Sequence, residues 1–258
     1  MAIALWAGLM LGICAPGSQA RAQSGCPTGA DDIDTDRPDA TNSSYTVPYG
    51  SFQMENGVEW TARNQSNVID GTQTLLRLGV AHCTEFFVQV PEYFYSTGGN
   101  AASGFSDTTV GFKRQIEPQP GGFVLSASAT LTFPTGSSAI SNHGYDPGLQ
   151  FTWSHDIAYG WSAAGMFTIT WFTSQPEQNP TYQPTFEFLR ALGDKAQLFF
   201  EYAGSYDHQR PSQILDTGAT YLLTKRQQID FITGFGLNSA SPSQFFGAGY
   251  SFRLDGLF

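Results

Sequence analysis

From residue 52 onward this chain alternates apolar and polar side chains in about a dozen stretches, and that period of two limits what it can fold into. The clearest stretch sets Phe123, Leu125, Ala127, Ala129, Leu131 and Phe133 against Ser126, Ser128, Thr130 and Thr132. Another sets Phe52, Met54, Val58, Trp60 and Ala62 against Gln53, Glu55, Glu59, Thr61 and Arg63. The last, opening at Gly249, puts Tyr250, Phe252, Leu254 and Phe258 on one face and Ser251, Arg253 and Asp255 on the other. Trp161 and Trp171 end one apolar face about ten residues apart, the length of tilted strand that crosses a bilayer core. That spacing suits two aromatic girdles. Inside lipid only helices and closed barrels satisfy every backbone polar group. After the leader no stretch approaches the ~18 apolar residues of a membrane helix. The expectation is therefore an all-β fold: a transmembrane antiparallel up-and-down β-barrel of about 12 strands, spanning residues 50–258. A soluble, lipocalin-like barrel is the alternative; it would bury the inward face and expose polar residues.

Composition agrees. Charged residues make up 13% of the chain, about half the usual ~25%, while the 21 Phe and 28 Gly supply girdles and turns. Mean hydropathy is only −0.20 because the two faces of each strand cancel, so hydropathy windows are blind to this pattern. Turns expected near Cys83, Gln119, Tyr159, Gly193 and Lys225 are mostly short. Connections near Gln65, Gly99, Ile140, Gln178, Gln209 and Ala240 are longer and rich in Ser, Asn, Gly and Pro, the asymmetry between periplasmic turns and outer loops.

Residues 1–22 read as a signal peptide: Ile3 to Cys14 is almost continuously apolar, and Ala20-Arg21-Ala22 offers an A-x-A cleavage site. The leader lacks a basic residue at its start, and Ile13 stands before Cys14 where a lipoprotein needs a small residue. Residues 23–49, polar and weakly periodic, form an N-terminal periplasmic segment. Cleavage removes only Arg21 among the charges and leaves the rest one unit more acidic than the −10 of the whole chain. A nucleic-acid partner is excluded on that balance. The expected partners are outer-membrane lipid, the barrel-assembly machinery and a small solute, in the outer membrane of a Gram-negative bacterium. In the oxidising periplasm Cys26 and Cys83, both at the periplasmic rim, are expected to form a disulfide; two free thiols are the other reading.

With apolar faces outward, the lumen candidates are Glu55, Glu59, Asp107, Glu187, Glu201, Asp216 and Asp230, with the bases Arg63, Arg77, Lys113 and Arg253. Arg63 and Arg77 are the candidate partners of Glu55 and Glu59. An acidic excess favours cations if water fills the lumen; alternatively the charges pair across it and close it. Tyr93, Tyr95, Phe172 and Phe199 are the candidate aromatic contacts inside. Tyr250, Phe252 and Phe258 make up a C-terminal assembly signal of the kind read by the barrel-assembly machinery.

Catalysis finds little support. His155 and Asp156 are strand neighbours and point to opposite faces. The sequence holds no G-x-S-x-G, CxxC or histidine cluster. The reading is a non-enzyme without metal or cofactor, with a barrel-borne hydrolase and an adhesive or structural barrel with a closed lumen as alternatives.

Several motifs carry a family resemblance: Asp34-Thr-Asp-Arg-Pro-Asp39, Tyr45-Thr-Val-Pro-Tyr-Gly50, Phe52-Gln-Met-Glu-Asn-Gly57, Thr74-Leu-Leu-Arg-Leu-Gly79, Ser106-Asp-Thr-Thr-Val-Gly111, Leu131-Thr-Phe-Pro-Thr-Gly136 and Asp216-Thr-Gly-Ala-Thr-Tyr221. Together they resemble the transporter-like outer-membrane barrel family named for the meta-pathway of phenol degradation. The resemblance implies passive passage of small solutes, aromatic or hydrophobic compounds among them. It also implies that Asp36, Arg37, Pro38 and Asp39 form an N-terminal latch at the barrel mouth.

Overall fold

The computed structural model describes residues 26, 30–63, 66–98, 102–116, 120–176, 179–208 and 210–258. The expected leader, 1–22, lies outside the described residues. One antiparallel sheet holds β1 (Phe52–Arg63), β2 (Ser66–Gly71), β3 (Leu75–Ala81), β4 (Thr84–Gln89), β5 (Tyr93–Thr97), β6 (Gly104–Phe105), β7 (Thr108–Ile116) and β8 (Phe123–Phe133). It continues through β9 (Asp146–Ala158), β10 (Trp161–Thr170), β11 (Thr181–Leu192), β12 (Ala196–Ser205), β13 (Ser212–Thr224), β14 (Gln227–Gly236) and β15 (Gln244–Leu254). β15 pairs back onto β1 from Phe52↔Leu254 to Ala62↔Gln244, so the sheet closes. The pairs β2/β3, β4/β5 and β6/β7 are each one interrupted crossing, which makes twelve crossings, the number expected.

The side chains place this barrel inside out relative to a soluble one. Phe112, Phe151, Phe167, Phe186, Phe200, Phe231 and Phe246, from seven different strands, are between 41% and 56% exposed on the outer face. Gln53, Arg77, Lys113, Gln115, Ser126 and Ser251 are buried on the inner one. An apolar belt of that extent requires lipid, and the lipocalin-like alternative is set aside. Between β9 and β10 the turn has φ of 52° at Tyr159 and 77° at Gly160, the two left-handed residues of a type I′ hairpin.

The three interruptions were not legible in the alternation. They fall at residues 72–74, 90–92 and 106–107 of adjacent crossings, and single bonds carry the ladder past them: Gln73 N–H to Gly57 O, Val90 N–H to Thr74 O and Ser106 N–H to Glu92 O. Pro91 offers no N–H to the ladder. The break changes side-chain parity: Phe87 of β4 lies over Gly111, where an added Cβ would sit 2.3 Å from its ring, yet Tyr93 and Tyr95 of β5 face outward, 42% and 53% exposed. The expectation that those two tyrosines line the lumen is corrected on this ground. Phe199 is inside, 3% exposed, and Phe172 lies in a loop past β10.

A second correction concerns the last residues. β15 stops at Leu254, so Phe258 does not continue its alternation. Leu257 N–H donates to Gly50 O at 2.7 Å, and the Phe258 ring meets Tyr49 edge-on at 5.3 Å. Tyr250 stands outward and Phe252 is half-buried beside it.

Candidate functional site

The lumen is occupied by the chain's own N-terminal segment. Residues 30–49 climb from the end that carries the short turns, arc across at Arg37–Thr41, and return to β1. The segment has no ladder of its own inside the barrel; wall side chains satisfy its backbone.

On one side those side chains form a charge-compensated clamp. Arg77 of β3, 1% exposed, bonds Glu55 of β1 at 2.9 Å and Glu85 of β4 at 3.0 Å, and lies 3.2 Å from Asp36. It also donates to Tyr45 O at 3.1 Å. Lys113 of β7 meets Asp36 at 3.1 Å. Glu55 accepts from Asp36 N–H at 2.9 Å and Glu85 from Val47 N–H at 2.6 Å. Burial alone would raise the pKa of Asp36, but Arg77 and Lys113 outweigh it and hold the carboxyl below its ordinary range.

Arg37, at the top of the arc, pairs with Asp230 of β14 at 3.3 Å and donates to Gln73. Its guanidinium lies in a slot opened by two glycines that face each other in the β1–β15 ladder, Gly57 and Gly249. A Cβ on Gly57 would sit 2.0 Å from Arg37 Nη2, and one on Gly249 2.6 Å from Arg37 Nε. A larger residue at either place would expel the side chain.

The opposite wall is different. Register puts Glu187 of β11, Glu201 of β12 and Asp216 of β13 side by side, all buried. Like charges placed directly opposite destabilise a sheet. Glu201 accepts from Ala40 N–H at 2.7 Å and from Thr41 Oγ1 at 2.5 Å, and Thr41 Oγ1 meets Thr185 Oγ1 at 2.5 Å. Asp39 completes the group; burial, then Glu187 and Glu201, push its pKa well above the ordinary value. Below this row, between the segment and β9–β13, lies a cavity of about 340 Å³. Phe199, Ile232 and Phe245 make a small apolar cluster on the same side, joined by Leu189 and Ile214.

The remaining sequence candidates divide. Glu59 accepts from Thr61 at 2.8 Å. Arg63 is exposed at the end of β1 and pairs with neither glutamate, because the strand carries it past the segment's reach. Asp107 does not line the lumen as a free charge: it accepts from Gly136 N–H, Ser141 Oγ and Asn142 N–H at 2.8 to 3.0 Å and anchors that loop. Arg253 holds the entry of the segment through Asp31 O and Asp32 O at 2.8 and 3.0 Å and bonds Asp255 at 3.0 Å. Pro38 sits between Arg37 and Asp39 in the arc. Cys26 is bonded to Cys83, with Cα atoms 4.8 Å apart, tying the start of the segment to the β3–β4 turn. His155 stacks on Phe123 at 4.4 Å, away from the lumen-side Asp156 that borders the cavity. Among the described residues no group of three or more His, Cys, Asp and Glu could hold a metal.

Sequence reasoning missed Glu85 and Gln115, and read Gln53 only as an inward polar position; all three are buried at the segment. Glu85 shares parity with Phe87 and faces inward from the start of β4, next to the turn at Cys83.

No curated protein matches this chain. Solved structures do, at low identity. An outer membrane channel from Pseudomonas putida F1 superposes with a TM-score of 0.61 at 14% identity, covering 84% of this chain and 100% of that one. The KdgM porin gives 0.55 at 11% identity, covering 78% and 98%, and the NanC porin 0.55 at 10%, covering 79% and 100%. These likenesses show the fold, that of outer-membrane barrels. A family model described as "Putative MetA-pathway of phenol degradation" matches residues 35–254, from the arc of the inner segment to the last residue of β15. That is most of the chain, clamp, slot and acidic wall included, and the chain belongs to this family.

Proposed function

We propose that this chain is a non-enzymatic channel in a Gram-negative outer membrane that passes small solutes by passive diffusion, with residues 30–49 acting as a plug that sets the width of the path. One observation carries the reading: a closed barrel with an apolar exterior encloses a polar lumen filled by a segment held through side-chain bonds, which are replaceable by water, rather than through a ladder. The short-turn end is the periplasmic one, the cleaved leader is 1–22, and the Cys26–Cys83 bridge keeps the plug tethered there. The phenylalanine belt meets lipid, and Tyr250, Phe252 and Phe258 engage the assembly machinery. The family's description and the apolar patch around Phe199 both favour aromatic or hydrophobic solutes. A structural barrel with a permanently closed lumen is the second reading, favoured by how fully the segment fills the interior.

Liposome swelling with the folded, leaderless protein separates them. Entry of phenol and of small neutral sugars above the rate of empty liposomes is expected. No entry of any solute would overturn the channel reading.

A further inference from the structure

The cavity below the acidic row has features the passage of solute does not require. It opens beside the β11–β12 turn and is roofed by the plug. Three of its lining side chains carry buried oxygens without a hydrogen-bond partner among the described residues: Glu187 Oε2, Ser44 Oγ and Asp34 Oδ1. Glu187 and Ser44 are 4% and 3% exposed, so these are not surface groups turned to solvent. Buried polar atoms are nearly always partnered, and three orphans on side chains that line one space mark it as suited to something that donates to them. Two of the three are carboxylate oxygens, which as ions only accept.

Charge points the same way. Glu187 stands beside Glu201, Asp216 and Asp39, to which it is hydrogen-bonded, and none of these four makes an ion pair among the described residues. The two bases on the cavity do not answer them: Arg37 is committed to Asp230, and Lys195 is exposed at the turn. A cation entering the cavity meets carboxyl oxygens of this group, while the one base on the cavity free to meet an anion among the described residues is the exposed Lys195. The floor is apolar, built from Leu189 and Phe199. At about 340 Å³ the space is within the range of small-molecule pockets.

We infer that this cavity is a binding site for a small organic ammonium ion, whose N–H groups meet Glu187, Asp34 and Ser44 and whose apolar part lies on Phe199 and Leu189. This goes beyond passage: such a site binds whether or not the lumen conducts, so failure of either reading leaves the other standing.

The test is ligand titration, by calorimetry or NMR, of the detergent-folded protein near neutral pH, with benzylamine, the neutral benzyl alcohol and the anionic benzoate as probes. Saturable benzylamine binding, at least about tenfold tighter than benzyl alcohol and with no benzoate binding, is the expected result. Glu187→Gln and Asp34→Asn should each weaken benzylamine about tenfold, and Phe199→Ala should weaken benzylamine and benzyl alcohol alike. Ser44→Ala gives a conservative third variant should a carboxylate change disturb assembly, with folding checked by the mobility shift of unheated barrel on gels. No saturable benzylamine binding, or binding unchanged in all the polar variants, overturns the inference.

Discussion

The plug rests on two walls of opposite construction. Toward β1, β3, β4 and β7, Arg77 and Lys113 are ringed by Glu55, Glu85 and Asp36, so each buried charge has a partner between 2.9 and 3.2 Å away. Toward β11, β12 and β13, the plug touches the wall through Ala40 and Thr41 on Glu201, within a group of four carboxyl groups that make no ion pair among the described residues. A buried charge removed from a compensated network leaves its partners stranded. One removed from an uncompensated group relieves repulsion. The first wall therefore fixes the segment, and the second is where it can let go.

The largest effect is expected from Arg77→Ala, which strands Glu55, Glu85 and Asp36. A loss of about 3–5 kcal/mol of folding stability, or failure to reach the folded barrel, should appear in urea unfolding and in the gel mobility shift. By contrast Glu187→Gln should leave stability unchanged or raise it. Equal losses in the two variants would erase the distinction between the walls.

Reduction of Cys26–Cys83 comes next. The bridge closes a loop across a sequence separation of 57, and its loss should cost about 2–4 kcal/mol, with faster proteolysis of the segment before β1. A proteolysis pattern indifferent to reductant would mean the clamp alone holds the segment.

Filling the glycine slot should follow. Gly57→Val displaces the Arg37 guanidinium and breaks its pair with Asp230 without touching either wall's carboxylates. Conductance should rise severalfold with the barrel still folded; an unchanged conductance would show that the arc does not narrow the path.

The two walls should also answer pH in opposite directions. Asp36 has its pKa lowered in the fold, so its contribution is present above the ordinary value of 3.8 and is lost only as pH falls through the lower folded value. Asp39 has its pKa raised, so its contribution is present below 3.8 and is lost as pH rises through the raised value. As pH rises above about 4, the ordinary carboxyl range, the Asp39–Thr41 arc should loosen while Asp36 stays clamped. Labelling of an Asn42→Cys variant, rising toward the alkaline end more steeply than that of a free cysteine peptide, checks this; a profile parallel to the peptide's counts against it. The smallest effect belongs to a pair outside both walls: Lys225→Gln, at the exposed Asp32 pair, should shift stability by no more than about 1 kcal/mol.

How much of this was legible follows from what alternation can carry. Period two reported the barrel, the crossing count and the inward face of Arg77, Glu187 and Asp230, because lipid on one side enforces it. It could not report the breaks at 72–74, 90–92 and 106–107, where parity is reset, and so it sent Tyr93 and Tyr95 to the wrong face. Nor could it show that Glu187, Glu201 and Asp216 are neighbours, since cross-strand register depends on the stagger of the closed sheet. The aperiodic residues 30–49 carried no such signal; only family resemblance pointed to Asp36 and Arg37, and the glycine slot that receives Arg37 appears only when β1 and β15 are brought together.

The central claim is that this segment is a plug whose hold on the lumen sets passage. Single-channel conductance of the intact protein, compared with an Arg37→Ala variant that leaves the Arg77–Lys113 network and the acidic wall in place, tests it directly. The account predicts small openings in the intact protein and severalfold larger, cation-selective ones in the variant. Large openings in the intact protein, or the same conductance in both, would contradict it.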